Sequence, residues 1–328
     1  MPDDMISLER KDSFLPVKLS RRAFGWLLAS APLGAFTLQE PFKIVDNVDL
    51  VLLDVSVRDS RGGYVTDLPK EAFRVLVDGR PQNISQFARV DAPVTIGLIV
   101  DNSGSMRYKR KDVVLAGLAF AKESNPRDEF FVVNFNNTVA AGLPSNAPFT
   151  DQLQLLHNAL YMGKSVGQTA LYDAIAYGLK YLERGHRDKR TLIVVSDGGD
   201  NVSELKQIDI LNLIQESRAT VYTIGLLDPQ DSDLQPAILK KFAHVSGGEY
   251  FQPETLEDVP KVLNKISLEI RNRYSLGFSP VAGSGDRQTH QIKVTASSEG
   301  RKLLVRTRTA YTTDPTNTIQ ETSLRDWR

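Results

Sequence analysis

The chain has 328 residues, 41% of them hydrophobic and 24% charged. That balance excludes wholesale disorder and collagen-like repeats, and leaves room for two domains or one with appendages. Forty Lys and Arg offset forty Asp and Glu, which argues against a general polyanion-binding surface and against nucleic acid as a partner, while leaving a local basic patch open. With no cysteine, disulfide scaffolds, thiolate zinc sites, iron–sulfur clusters and cysteine nucleophiles are excluded together, and an oxidising compartment does the chain no harm.

Residues 1–35 read as an address rather than a fold. Arg21 and Arg22 precede a short apolar run, Phe24 to Leu33, and the small residues Ala29, Ser30 and Ala31 supply an A-x-A-like cleavage site. Ser20-Arg21-Arg22-Ala23-Phe24 resembles a twin-arginine export signal, which implies a periplasmic or extracellular protein. The alternative is a short amphipathic helix with two incidental arginines. No stretch beyond this signal reaches the ~18 consecutive apolar residues of a membrane span.

Residues 42–90 read as a β module. The run from Asp49 to Val57 is rich in aliphatic and β-branched residues, Arg61-Gly62-Gly63 marks a turn, and Phe73 to Val77 alternates before the hairpin signal Asp78-Gly79. Ile84 to Val90 is a third candidate strand.

Across residues 93–273 strands and helices alternate. Thr95–Val100, Phe130–Phe135, Thr191–Ser196, Thr220–Leu227 and Glu249–Phe251 read as strands. Lys111–Lys122, Gln152–Met162, Ala170–Glu183, Glu204–Arg218, Leu234–Val245 and Leu256–Asn272 read as helices. This spacing predicts an α/β fold, a doubly wound and mostly parallel sheet.

Residues 274–311 revert to β, with strands expected at Tyr274–Phe278, His290–Thr295 and Leu303–Thr309, and a loop at Gly283–Asp286. Residues 312–328 are polar and read as a frayed tail. Three strands on either side would each make a marginal sheet alone. They either form one small β-sandwich, with the α/β portion inserted between its halves, or each extends the α/β portion separately.

Three segments stand out, two where strands end, the place where doubly wound folds bind ligands, and one that opens the helix from Ala170. They are Asp101-Asn102-Ser103-Gly104-Ser105, Gly167-Gln168-Thr169-Ala170 and Ser196-Asp197-Gly198-Gly199. A carboxylate followed by hydroxyls at alternate positions of a tight loop presents three oxygens to one point. Thr169 adds a hydroxyl and Asp197 a second carboxylate. These hard oxygen donors suit Mg²⁺, Mn²⁺ or Ca²⁺, and suit zinc or copper poorly. With so few charged ligands the ion stays electrophilic, and an incoming carboxylate would fit it.

Asp101-x-Ser103-x-Ser105, with Thr169 and Asp197 downstream, resembles the metal-ion-dependent adhesion site of von Willebrand factor type A (VWA) domains, over roughly residues 93–273. The whole layout resembles the bacterial VWFA-related domain family common in acidobacteria, which adds an export signal, a β segment like Val55-Ser56-Val57-Arg58-Asp59 and a β tail. The resemblance implies Asp101, Ser103, Ser105 and Thr169 as metal ligands, with Asp197 coordinating directly or through water. It also implies a protein partner that donates an Asp or Glu to the ion. Some relatives carry acidic residues just after the motif for a second ion; here Met106 to Lys111 is basic, and no adjacent second site is expected.

Plainer readings stand beside these. Ser103 and Ser105 could be loop or N-cap residues. Arg107–Lys111 reads foremost as the solvated start of a helix, with a basic rim as the other option. Asp200-Asn201 reads foremost as a turn or cap, with contact to the site as the other option. His157, His186, His244 and His290 show no metal-ligand spacing. The functional expectation is an exported adhesion-type binding module and not an enzyme. There is no H-E-x-x-H or P-loop, the G-x-S-x-G run Gly163–Gly167 follows an expected helix rather than a strand and so makes no nucleophile elbow, and Asp197 is the only candidate general base for a metal-dependent hydrolase. A scaffold subunit of a larger complex is the third reading.

Overall fold

The computed structural model describes residues 50–89, 91–197, 199–226, 235–279 and 288–313, all within one compact unit, Asn47–Arg328. The expected export signal, the loop Gly283–Asp286 and residues 314–328 of the expected tail lie outside the described residues, as do Asp49, Val90, Gly198, Leu227 and Leu234.

The chain starts with β1 (Val51–Asp59), β2 (Phe73–Val77), β3 (Arg80–Gln82) and β4 (Gln86–Ala88). The α/β portion follows as β5 (Val94–Asp101), α1 (Arg110–Glu123), β6 (Glu129–Phe135), β7 (Val139–Ala141), α2 (Leu153–Leu160), α3 (Leu171–Leu182) and β8 (Lys189–Ser196). It continues with α4 (Gln207–Glu216), β9 (Thr220–Gly225), α5 (Pro236–Ser246), β10 (Tyr250–Phe251) and α6 (Val259–Arg271). The last strands are β11 (Arg273–Phe278), β12 (Gln288–Ala296), β13 (Leu303–Arg306) and β14 (Ala310–Thr313).

The central sheet runs β10-β9-β8-β5-β6-β7. Its pairings are parallel except β7, which lies antiparallel on β6 at one edge. All eight residues of β5 and all seven of β6 are buried, as expected for strands covered on both faces. Successive β5 side chains point to opposite faces, so Leu98 lies under Gly117 of α1 while Ile99 lies under Gly178 of α3. Gly97 is required where it stands. A Cβ there would come within 2.3 Å of the Phe131 ring, and that ring stacks on Tyr181 at 4.8 Å between centroids.

The flanking strands pair with each other. One antiparallel sheet is ordered β13-β1-β11-β4 and the other β14-β12-β2-β3, so each mixes strands from before and after the α/β portion. They share one core, including Leu53, Val55, Val75, Tyr274, Leu276 and Val294, and neither sheet could hide its apolar face alone. The Tyr274 hydroxyl donates to the Val65 carbonyl at 2.9 Å and accepts from the Leu68 amide at 3.0 Å, pinning the segment that links β1 to β2. The turn Asp78-Gly79 has both residues at positive φ, 49° and 78°, the conformation that two-residue hairpins need.

Several boundaries differ from the sequence expectation. The third early strand is short, Gln86–Ala88, and leaves Ile84 outside it; Arg80–Gln82 forms a strand with no apolar alternation to announce it. Arg273, expected at the end of the α/β portion, opens β11. Thr312 and Thr313, expected in the frayed tail, belong to β14, where they pair with Thr289 and Gln288.

The sandwich meets the α/β portion at the amino ends of the parallel strands. Arg273 donates to Thr220, the first residue of β9, at 3.0 Å and to the Gly247 carbonyl at 2.8 Å. Glu269 of α6, whose side chain is fully buried, is ion-paired to Arg273 at 2.8 Å, to Arg306 at 3.1 Å and to Arg58. Glu249 also holds Arg58, at 2.9 Å, and Arg306, at 2.6 Å. Burial alone would push the Glu269 carboxyl up, but the guanidinium groups of Arg273, Arg306 and Arg58 outweigh it and hold it below the ordinary glutamate value.

Candidate metal centre

The opposite, carboxyl-terminal edge of the sheet carries the candidate residues. Adjacent parallel strands β5 and β8 end at Asp101 and Ser196, which brings Asp101 and Asp197 to one spot. Asp101 is fully buried and Asp197 is 1% exposed. One Asp101 oxygen accepts the Ser103 amide at 2.8 Å and the other accepts the Ser196 hydroxyl at 2.6 Å, which fixes the carboxylate plane. Burial pushes the Asp101 carboxyl up to about 6 despite these hydrogen bonds, and the neighbouring Asp197 adds to the rise.

The two serines do not act as helix caps. Ser103 stands at the N-cap of a 3-10 turn, Gly104–Tyr108, and makes no side-chain capping bond. Its hydroxyl lies 3.0 Å from that of Ser105, which in turn donates to Asp197 Oδ1 at 2.9 Å.

Thr169 arrives from a separate loop that is bonded to the first. The Gly104 amide donates to the Gly167 carbonyl at 3.0 Å, and the Val166 amide to the Asn102 carbonyl at 3.0 Å. Gly167 sits at φ +85°, and a side chain there would run into Asn137, so only glycine allows this approach. Asp200 takes the turn-and-cap role that the sequence favoured, accepting the Tyr172 amide at 3.1 Å near the start of α3, whereas Asn201 takes the other option and touches the site. Its side chain accepts the Thr169 amide at 2.8 Å and its own amide donates to the Thr169 carbonyl at 3.0 Å.

The donor set fits a hard divalent ion. Its oxygens are of the type that Mg²⁺, Mn²⁺ or Ca²⁺ prefer, and Ser103, Ser105 and Asp197 are already linked to one another by hydrogen bonds of 3.0 and 2.9 Å. Among the described residues no three His, Cys, Asp or Glu side chains gather as a metal-binding group; this set has two carboxylates and three hydroxyls.

Sequence reasoning missed Lys109 and Arg110. Expected in a solvated helix start, both are half-buried. The Lys109 ammonium, with a side chain 17% exposed, donates to Asp197 Oδ2 at 2.6 Å and to the Leu226 carbonyl at 2.9 Å. Arg110 donates to the carbonyls of Leu160, Met162 and Gly163 at 3.3, 2.7 and 2.6 Å, holding the second loop in place. Neither partner set lies near these residues in sequence. Only the adjacency of Asp101 and Asp197, already implied by the motif, hinted that a basic residue beside Ser105 would find a buried carboxylate.

Residues 96–199 match the family model of the von Willebrand factor type A domain. An uncharacterized protein of Borreliella burgdorferi is 23% identical over 112 residues, covering 34% of this chain and 33% of its own length, so the match spans a third of that relative. Among solved structures, a von Willebrand factor type A protein from Catenulispora acidiphila aligns with a TM-score of 0.49 at 13% identity, covering 73% of each chain. The vWF domain of the type V pili tip protein Mfa5 from Porphyromonas gingivalis aligns at 0.46 and 14% identity, covering 55% of this chain and 96% of that one. Proximal thread matrix protein 1 from the mussel byssus, with a zinc occupied MIDAS motif, aligns at 0.44 and 18% identity, covering 56% and 48%. Among the described residues no helix is long and apolar enough to cross a membrane. The family match over residues 96–199 and the doubly wound sheet agree with the residue pattern: this stretch of the chain matches a von Willebrand factor type A domain.

Proposed function

We propose that this chain is an exported protein-binding module that captures an acidic side chain of a protein partner through a divalent ion, Mg²⁺ foremost and Mn²⁺ or Ca²⁺ as competitors, held by Asp101, Ser103, Ser105 and Thr169 with Asp197 close by. The observation that carries the reading is the gathering of two buried carboxylates, Asp101 and Asp197, with the linked hydroxyls of Ser103 and Ser105 at the carboxyl ends of β5 and β8. When bound, the ion supplies an electrophilic position that a carboxylate oxygen can occupy. The protein's own part is to hold few charges around it. Lys109 already offsets Asp197, so an incoming Asp or Glu meets no surplus of negative charge. The same ion pair weakens the hydrolase reading, because Asp197, its candidate base, is engaged by both Lys109 and Ser105. Export rests on the Arg21-Arg22 segment, and a reporter fused to residues 1–40 should reach the periplasm in a twin-arginine-dependent manner.

The test is affinity capture with the chain in Mg²⁺ or in EDTA. Capture that depends on Mg²⁺ and is reversed by EDTA supports the reading. Capture that survives EDTA, or Asp101-dependent hydrolysis of a generic ester or phosphodiester, overturns it.

Lys109 gives a second expectation. In Lys109→Met the ammonium is gone and Asp197 is left as a buried carboxylate without its cation, so the metal-free protein should lose about 1–3 kcal/mol of stability. The ion then becomes the only cation available to both carboxylates, and Mg²⁺ affinity measured by calorimetry should rise about tenfold. An unchanged affinity would show that Lys109 and the ion do not share Asp197.

A further inference from the structure

Four large apolar side chains surround the candidate metal centre in exposed positions: Tyr108 at 86%, Tyr161 at 41%, Met162 at 45% and Val166 at 46%. They stand on the two loops that carry Ser105 and Thr169, and the hydrogen bonds between those loops hold them as one surface. The Asn102 side chain adds a contact to the Met162 carbonyl at 3.3 Å. Interleaved with them are exposed Arg107, Lys111 and Lys164, while positions 102–111 and 161–170 contain no Asp or Glu. A rim that is apolar and aromatic, positively charged and pre-organised by backbone bonds has the composition of a protein-recognition patch rather than of ordinary solvent-facing loops.

We infer that this rim selects the partner, and that the partner is a protein segment whose metal-seeking Asp or Glu is flanked by large apolar residues. The inference rests on the metal-dependent reading of the site and adds to it the chemistry around the captured carboxylate. The basic residues complement an acidic segment and speed its approach. Tyr108 and Val166, placed on separate loops, would contact the residues on either side of the acid. A rigid aromatic that loses little freedom on binding is well suited to that contact. A basic segment would meet repulsion from Arg107, Lys111 and Lys164, and a polar one would leave the apolar side chains in water.

The experiment uses the full chain and three synthetic seven-residue peptides: a central Asp flanked by Phe and Leu, the same Asp flanked by Ser, and the Phe/Leu peptide with Asn in place of Asp. Binding is measured by fluorescence anisotropy in Mg²⁺ and in EDTA, and Mg²⁺ affinity separately by calorimetry. The apolar-flanked Asp peptide should bind on the order of tenfold more tightly than the Ser-flanked one, in Mg²⁺ only, and the Asn peptide should not bind. The double substitution Tyr108→Ser and Val166→Ser should erase that preference, leaving Mg²⁺ affinity and the Ser-flanked peptide's affinity unchanged. Equal affinity for the two Asp peptides, or binding of neither by the magnesium-loaded chain, overturns the rim assignment while the metal centre stands. Equal binding in EDTA overturns it as well, because the patch would then act without the ion. Failure of the chain to bind Mg²⁺ at all overturns the reading beneath it.

Discussion

Replacing Asp101 with asparagine should cost more than about 100-fold in Mg²⁺ affinity, beyond the 10–100-fold typical of residues that only support a metal ligand. Asparagine keeps the shape of the side chain. Its carbonyl can still accept the Ser103 amide, and the Ser196 hydroxyl can turn to accept from the amide nitrogen. What disappears is the charge. The metal-free Asp101→Asn protein should therefore be more stable than metal-free wild type at pH 7, by about 1–3 kcal/mol, because a buried and destabilised carboxylate has been removed. The pH dependence gives the sign. The folded value, about 6, lies above the ordinary 3.8, so protonation favours the folded state. Relative to the variant, metal-free wild type should gain stability as the pH falls through about 6, with the full contribution present below 3.8. Denaturant unfolding with excess EDTA measures the difference. Identical curves for the two proteins across pH 4–7 would count against a strained Asp101, and unchanged calorimetric binding of Mg²⁺ would remove it from the metal centre.

A comparably large effect is expected at the other end of the sheet. Glu269→Ala leaves the guanidinium groups of Arg58, Arg273 and Arg306 without the carboxylate that they share, and the Arg273 side chain is only 4% exposed. Removing one member of such a buried group costs about 3–5 kcal/mol, or a fall in Tm on the order of 10 °C for a chain of this size. Because the network joins the amino ends of the strands to the sandwich, Mg²⁺ affinity at the carboxyl ends should be unchanged. Glu269 also contributes to acid lability. Its folded value lies below the ordinary 4.5, so its stabilisation is present above pH 4.5 and is lost as the pH falls through that lower folded value. Glu269→Gln should flatten that part of the acid-unfolding curve. A Tm for Glu269→Ala within two degrees of wild type would show that the arginines find other partners.

The candidate site was legible because the chemistry proposed for it demands a local pattern. Oxygen-bearing residues must alternate in a loop directly after a buried strand, and Asp101, Ser103 and Ser105 do so within five positions. Alternating apolar strands and amphipathic helices likewise announced the doubly wound sheet. Contacts set by tertiary folding were not legible. Lys109 has the sequence context of a solvated helix start, and only the approach of Asp197 and Leu226 makes it an internal cation. Arg58 and Glu269 lie 211 positions apart, and nothing local marks either as a buried ion. Arg80–Gln82 and Ala310–Thr313 are strands because a longer neighbour, β2 or β12, offers an edge to pair with; their own residues carry no period-two signal.

The mixed sheets of the sandwich also set an order of assembly. Tyr274 holds the Val65 carbonyl across 209 positions of chain, and among the described residues the strands that flank β1 in its sheet, β11 and β13, are both made after the α/β portion. During synthesis β1 must therefore wait through the whole α/β portion for its sheet neighbours, and β2, paired locally only with β3, keeps its other edge open until β12 arrives. The α/β portion has mainly nearer contacts and can form first, drawing β4 and β11, neighbours in one sheet, to adjacent positions at its two ends. Closure of that long loop makes the sandwich the slow step of folding. A truncation that ends after α6 would strand β1, leave one edge of β2 permanently open and turn both into a template for aggregation.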